Sequence, residues 1–115
     1  MLRGTVAACC GVVMLVAFWP MANAQSGIAS IYAYSSEKTA NGEHAMPGGM
    51  TAAHRTLPFG AKVRVTNLGN GRSTIVRIND RGPFVRGRII DVTPAAARVL
   101  GFSGLARVKL DVLQG

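Results

Sequence analysis

The chain has 115 residues, with 13 lysines and arginines against five acidic residues, a formal net charge of +8, two cysteines and few aromatics. Both cysteines, Cys9 and Cys10, lie in the apolar N-terminal stretch, so the rest of the chain has no disulfide, thiol catalysis or cysteine-held metal available to it. Basic residues scattered along the chain with few aromatics suit a polyanionic partner and argue against nucleic acid.

Met1-Leu2-Arg3 makes a short basic start, Val6 to Trp19 is almost wholly apolar, and Ala22-x-Ala24 fits the small-residue pattern of signal peptidase cleavage. Residues 1–24 therefore read as a signal peptide and residues 25–115 as one exported domain, in the periplasm or cell envelope. The apolar run is shorter than the ~20 residues of a membrane span, so no stable membrane insertion is expected once the leader is removed. Val6-Ala7-Ala8-Cys9 has the look of a lipidation signal. It stands too near the start, with most of the apolar segment after it, which argues against an anchor through Cys9. Loss of Arg3 with the leader lowers the net charge to +7.

The mature part reads as mainly β. Gly27 to Ala33 forms a first strand, and Tyr34 to Gly49 a long polar loop of the kind that is usually functional or mobile. Met50 to His54 is a short strand of small residues. Lys62 to Asn67 alternates basic and apolar residues, as a half-buried strand does. Asn70-Gly71 predicts a tight hairpin turn into a strand over Ser73 to Ile78. Arg88 to Val92 is a fifth strand. Thr93 as N-cap, Pro94 at the first position and Gly101 as C-cap bound one short helix. Ala106 to Val112 alternates strictly and closes the chain. A domain this small buries only about 60–65% of its unfolded surface, and a closed barrel, which leaves no strand edge exposed, answers that constraint.

The chemistry centres on Asn79-Asp80-Arg81-Gly82-Pro83-Phe84. Asp80 arrives at a strand end beside a Gly-Pro turn, among Arg72, Arg77, Arg81, Arg86 and Arg88. Two readings stay open from these residues: a plain turn with Asp80 on backbone N–H groups, or a carboxyl placed for acid–base work. Asp91 precedes the helix and is expected to bind backbone N–H groups there. The acidic residues, His44 and His54 show no metal-ligand spacing, so no metal and no cofactor are expected.

Thr39-Ala40-Asn41-Gly42-Glu43, Thr51-Ala52-Ala53-His54-Arg55-Thr56-Leu57-Pro58-Phe59-Gly60, Val65-Thr66-Asn67, Asn79-Asp80-Arg81-Gly82-Pro83-Phe84 and Arg88-Ile89-Ile90-Asp91 occur in this order. Together they closely resemble the domain of the rare lipoprotein A (RlpA-like) family, over Gly27 to Leu113. The resemblance implies a six-stranded double-psi β-barrel with one short helix near the C-terminus. It also implies a lytic transglycosylase that cleaves peptidoglycan glycan strands between N-acetylmuramic acid and N-acetylglucosamine, leaving a 1,6-anhydro sugar. Carried over by motif, its site residues are Glu43, His54 and Asp80. Asp80 is expected to protonate the leaving oxygen and then to serve as base for the attacking sugar hydroxyl. For this it must be kept protonated near neutrality. Glu43 and His54 are expected to tune that acid, hold the sugar or steady the positive charge.

Arg81 stands next to Asp80 and would oppose the acid role unless its side chain points elsewhere or desolvation outweighs it. Arg55, Arg81 and Arg88 are candidates for binding substrate carboxylates, and Tyr32 or Tyr34 for stacking on a sugar, the other packing in the core. Relatives often have an aromatic residue before Tyr32 and a glycine after it, where this chain has Ile31 and Ala33, and that weakens the stacking inference. Two other functions remain compatible with the sequence. One is a non-catalytic, expansin-like module that binds cell-wall polysaccharide. The other is a secreted protein that uses the barrel to bind a protein partner, of which the sequence names none.

Overall fold

The structure is a computed structural model that describes residues 24–32 and 38–114, the last of these by its backbone only. The expected leader, up to residue 23, and Tyr34 lie outside the described residues. Six strands, β1 (Ala24–Ile31), β2 (Thr51–Ala53), β3 (Lys62–Asn67), β4 (Ser73–Asp80), β5 (Arg88–Val92) and β6 (Ala106–Gln114), close into a barrel in the order β1-β5-β2-β4-β3-β6. One helix, α1 (Pro94–Leu100), joins β5 to β6. The β1–β5 and β2–β4 pairs are parallel and the other four antiparallel.

Alternation along the strands builds the core. In β3, Val63 and Val65 point inward and Lys62 and Arg64 outward; in β4, Val76 and Ile78 are buried. With Ile90 and Val92 of β5 and Val108 and Leu110 of β6, these side chains are all at most 1% exposed. Each contributes about 1.5–3 kcal/mol through burial. Small residues set where strands can approach: a Cβ added at Gly27 of β1 would lie 2.7 Å from Cγ2 of Ile89.

The helix is bounded as the sequence predicts. Thr93 Oγ1 accepts from Ala96 N at 3.2 Å and donates to Gly49 O at 2.6 Å, and Gly101 closes the last turn at φ 78°. Ala96, Ala97 and Leu100 form its buried face. At its far end, the side-chain amides of Asn67 and Asn70 both donate to Leu100 O, at 2.9 and 3.0 Å. That anchoring reshapes the β3–β4 hairpin. A tight turn centred on Asn70-Gly71 is expected, but the ladder closes earlier, with Asn67 N donating to Arg72 O at 2.7 Å. Residues 68–71 form a four-residue loop, with Gly71 at φ 78°.

Candidate active site

The end of β4 is built by its pairing with β2. A register shift between Ala52 and Ala53 sets Ala53 beside Asp80, and His54 N donates to Asp80 O at 3.1 Å. Ala53 offers only a methyl group, so no bulky β2 side chain crowds the carboxylate from that side. The half-buried Asp80 carboxylate is then gripped from three segments. Oδ1 accepts from Ala40 N at 2.9 Å and from Arg81 N at 2.8 Å, and Oδ2 accepts from the Tyr32 hydroxyl at 2.9 Å.

Ala40 reaches that position because the Thr39–Glu43 motif folds tightly over the strand end. Asn41 Oδ1 accepts from Thr39 Oγ1 at 2.8 Å and from Glu43 N at 3.0 Å, in the manner of a local side-chain turn. Gly42 takes φ 93°, a conformation that suits glycine. Asn41 N then donates to Asn79 O at 3.3 Å, which docks the motif on β4.

Docking brings Glu43 onto outward-facing β4 side chains. Its carboxylate meets Arg77 in a fork, at 2.8 and 3.1 Å, and accepts from Asn79 Nδ2 at 3.0 Å. Arg77 and Asn79 hold the Glu43 carboxyl at a pKa of about 2, against an ordinary 4.5. Glu43 is therefore ionised across the working pH range and holds no proton to give. Asn79 is buried, and with its amide N–H turned to Glu43, its Oδ1 has no hydrogen-bond partner among the described residues.

His54 is 5% exposed and both ring nitrogens are engaged. Nδ1 accepts from Thr56 N and Leu57 N at 3.1 and 3.2 Å, and Nε2 lies 3.0 Å from Gln25 Oε1. An acceptor at Nδ1 places the proton on Nε2, which donates to Gln25. Burial, with the charges of Arg55 and Arg81, lowers the pKa of the ring from its ordinary 6.5. The ring borders an open crevice of about 320 Å³ lined by Gln25, Leu57, Leu110 and Val112 among others.

Arg81 turns away from Asp80. Its Nη1 donates to the carbonyls of His54 and Leu57 at 3.1 and 2.8 Å, and its guanidinium carbon lies 4.0 Å from the centre of the Phe59 ring. The requirement that this cation point elsewhere is met, and the guanidinium expected on substrate is engaged within the protein. Arg55 is exposed and donates to Arg88 O at 3.2 Å, so Arg55 and Arg88 lie together where β5 meets the segment after β2. Tyr32 gives its hydroxyl hydrogen to Asp80, a contact that the sequence did not suggest.

Asp91 corrects another expectation. Thr93 caps the helix, and Asp91 instead accepts from Ser30 Oγ across the β1–β5 pair. Ala53 pairs with Asp91 on one side and with Asp80 on the other, so the two carboxylates flank one alanine. Among the described residues no three His, Cys, Asp or Glu side chains cluster as a metal site. A larger concavity of about 680 Å³, between the β3–β4 hairpin and the segment after α1, lies away from all of these groups. Size does not mark the chemistry here.

The family model described as lytic transglycolase matches residues 24–111, which takes in β1 to β5, the helix, the first part of β6 and Glu43, His54 and Asp80. The chain belongs to this lytic transglycolase family. It is 59% identical over 93 residues to the probable endolytic peptidoglycan transglycosylase RlpA of Nostoc sp., covering 76% of this chain and 25% of that protein. It is 51% identical over 102 residues to the endolytic peptidoglycan transglycosylase RlpA of Pseudomonas aeruginosa, covering 82% of this chain and 30% of that protein. The chain thus spans under a third of the length of these relatives. Among solved structures, the barrel resembles the apo expansin of Clavibacter michiganensis, with TM-score 0.63, 19% identity, and 79% of this chain and 50% of that chain covered. It also resembles the Streptomyces papain inhibitor, with TM-score 0.61, 21% identity, and 79% and 94% covered. At these identities the two structures establish the fold, an expansin-like double-psi barrel, and nothing beyond it.

Proposed function

We propose that this member of the lytic transglycolase family is an exported enzyme of the cell envelope. It cleaves peptidoglycan glycan strands at the bond between N-acetylmuramic acid and N-acetylglucosamine. Asp80 gives its proton to the bridging oxygen as the bond from the muramic acid C1 to that oxygen breaks, the electron pair leaving with the oxygen. The 6-hydroxyl oxygen of the same muramic acid then bonds to C1 and closes the 1,6-anhydro ring. Its proton passes to the Asp80 carboxylate, which restores the acid. Attack from within the sugar needs no second carboxylate as nucleophile, unlike a retaining glycosidase.

One observation carries the reading. Asp80 is oriented by Tyr32, Ala40 N and Arg81 N, donors that stabilise the carboxylate formed as its proton leaves, while the neighbouring guanidinium is turned to carbonyls and an aromatic ring. Glu43, ionised and paired with Arg77, supports the site by fixing the Thr39–Glu43 segment, whose Ala40 N–H holds Asp80. Arg55 and Arg88 supply guanidinium groups for the lactyl or stem-peptide carboxylates of the strand.

The test is mass spectrometry of the soluble products released from sacculi, intact or stripped of stem peptides, by the protein and by its Asp80→Asn variant. Anhydromuramyl products from the wild type and none from the variant are expected. Reducing-end products would mean hydrolysis and would overturn the water-free mechanism. Sedimentation with sacculi and no release would make the domain a wall-binding module.

A further inference from the structure

We propose that His54 is a positioning residue: its neutral imidazole pins the 54–57 turn whose carbonyls hold the Arg81 guanidinium away from Asp80. The inference rests on the reading of Asp80 as the acid, and it assigns His54 a task other than carrying a proton.

The argument starts at the ring. An acceptor that takes the N–H groups two and three residues ahead is the local pattern by which Asn, Asp or Ser side chains fix a turn. Here Nδ1 of His54 plays that part for Thr56 N and Leu57 N. Nε2–H is spent on Gln25 Oε1, so the ring keeps neither a lone pair nor a free N–H for substrate. A second proton would have to sit on Nδ1, facing two N–H donors. The charged groups facing the ring are Arg55 and Arg81; β1 contributes neutral Gln25, and β6 contributes Leu110 and Val112. Among the described residues nothing anionic is placed to welcome an imidazolium.

The second half runs from the turn to the acid. Pinning residues 54–57 aims the carbonyls of His54 and Leu57 at one atom, Arg81 Nη1, while Phe59 covers the guanidinium face. Arg81 directly follows Asp80, and its backbone N–H already touches Oδ1. A guanidinium released from those carbonyls therefore has a carboxylate within its reach, and a carboxylate paired with arginine is a poor proton donor. His54 thus keeps the acid free by keeping a cation occupied.

The experiment compares release of anhydromuramyl products by wild type, His54→Ala, His54→Asn and the double variant His54→Ala/Arg81→Gln. Thermal unfolding and the ¹⁵N-labelled Arg81 Nε–H resonance are recorded for each. Asn can present its Oδ1 where Nδ1 stands, so His54→Asn should keep the rate within about threefold. His54→Ala should lose roughly thirtyfold or more, since an impaired general acid forfeits factors of that order. Removing the freed cation should return about tenfold of that loss in the double variant. The Arg81 resonance should match wild type in His54→Asn and move or broaden in His54→Ala. Wild type should lose rate on the acid side as His54 gains a proton, and His54→Asn should lack that limb. If His54→Asn folds cooperatively yet is as slow as His54→Ala, or if Arg81→Gln brings no recovery in a folded double variant, the proposal is wrong. Should the double variant fail to fold, the His54→Asn rate and the Arg81 resonance decide. A wild type that makes no anhydro product sinks the transglycosylase reading instead, and the Arg81 resonance still decides whether His54 holds the arginine.

Discussion

At the scale of single residues, the site is a carboxylate whose orientation is set by donors far apart in sequence. Tyr32, Ala40 and Arg81 each give Asp80 one hydrogen bond, so its two carboxylate oxygens are held in fixed directions. The Tyr32 hydroxyl is the one donor of the three that substitution can remove without disturbing the backbone. A hydrogen bond to the carboxylate that develops as Asp80 gives up its proton contributes about 1.5–3 kcal/mol, and 1.4 kcal/mol is roughly tenfold in rate. Tyr32→Phe should therefore slow anhydromuramyl release by roughly tenfold or somewhat more, while the half-buried ring keeps its packing and the unfolding midpoint stays close to wild type. An unchanged rate would show that Tyr32 does not orient the acid. Asp91 offers the contrasting case: it faces Asp80 across Ala53, yet its described partner is Ser30 on the far side.

At the scale of elements, the middles of the strands and the helix follow from local rules, while some strand ends and the loops do not. β3, β5 and α1 stand at the bounds that alternation and capping residues predict, because Val63, Val65 and the Thr93–Gly101 caps act through near neighbours. β4 runs two residues past the expected Ile78 and β1 starts three before Gly27. In both cases partner strands, β2 and β6, supply hydrogen bonds that no local pattern announces. The ordered motifs singled out Glu43, His54 and Asp80 together, and in the structure the Thr39–Glu43 segment and His54 N both meet Asp80. The directions of Arg81 and Tyr32 were not legible, since the partners that fix them lie 24 to 48 residues away.

The β3–β4 hairpin shows the same limit and yields a prediction. Asn67 is 5% exposed, and it both donates to Leu100 O and accepts from Gly69 N, tying the hairpin to the end of the helix. Asn70 also donates to that carbonyl, so Asn67→Ala strands mainly the Gly69 N–H and leaves a small void. Urea unfolding should show a loss of about 2 kcal/mol with an unchanged slope. A loss below about 0.5 kcal/mol, the range of an ordinary surface substitution, would mean that the hairpin holds its shape without the helix.

At the scale of the whole molecule, the barrel has no disulfide within its described strands and relies on a core of valines, isoleucines, leucines and alanines. Its stability should therefore depend visibly on the state of its few perturbed titrating groups. Two of them push in the same direction. His54 has a folded pKa below its ordinary 6.5, so the unfolded chain takes up that proton more readily than the folded one. Its contribution is complete above pH 6.5 and is lost as the pH falls below that value toward the lowered folded pKa. Glu43 follows lower down: its contribution is present above pH 4.5 and is lost as the pH falls from there to about 2. The Glu43 side chain is 41% exposed, so solvent screening reduces its share to about 1 kcal/mol or less. Urea midpoints measured from pH 8 to pH 2 should therefore fall in two steps, the first beginning near pH 6.5. His54→Asn should abolish that upper step and leave the lower one, and Glu43→Gln should do the reverse. A midpoint that stays flat between pH 7 and pH 5 in the wild type would show that His54 is equally ready to bind a proton folded or unfolded. The barrel could then not be holding its ring neutral between Gln25 and the 54–57 turn.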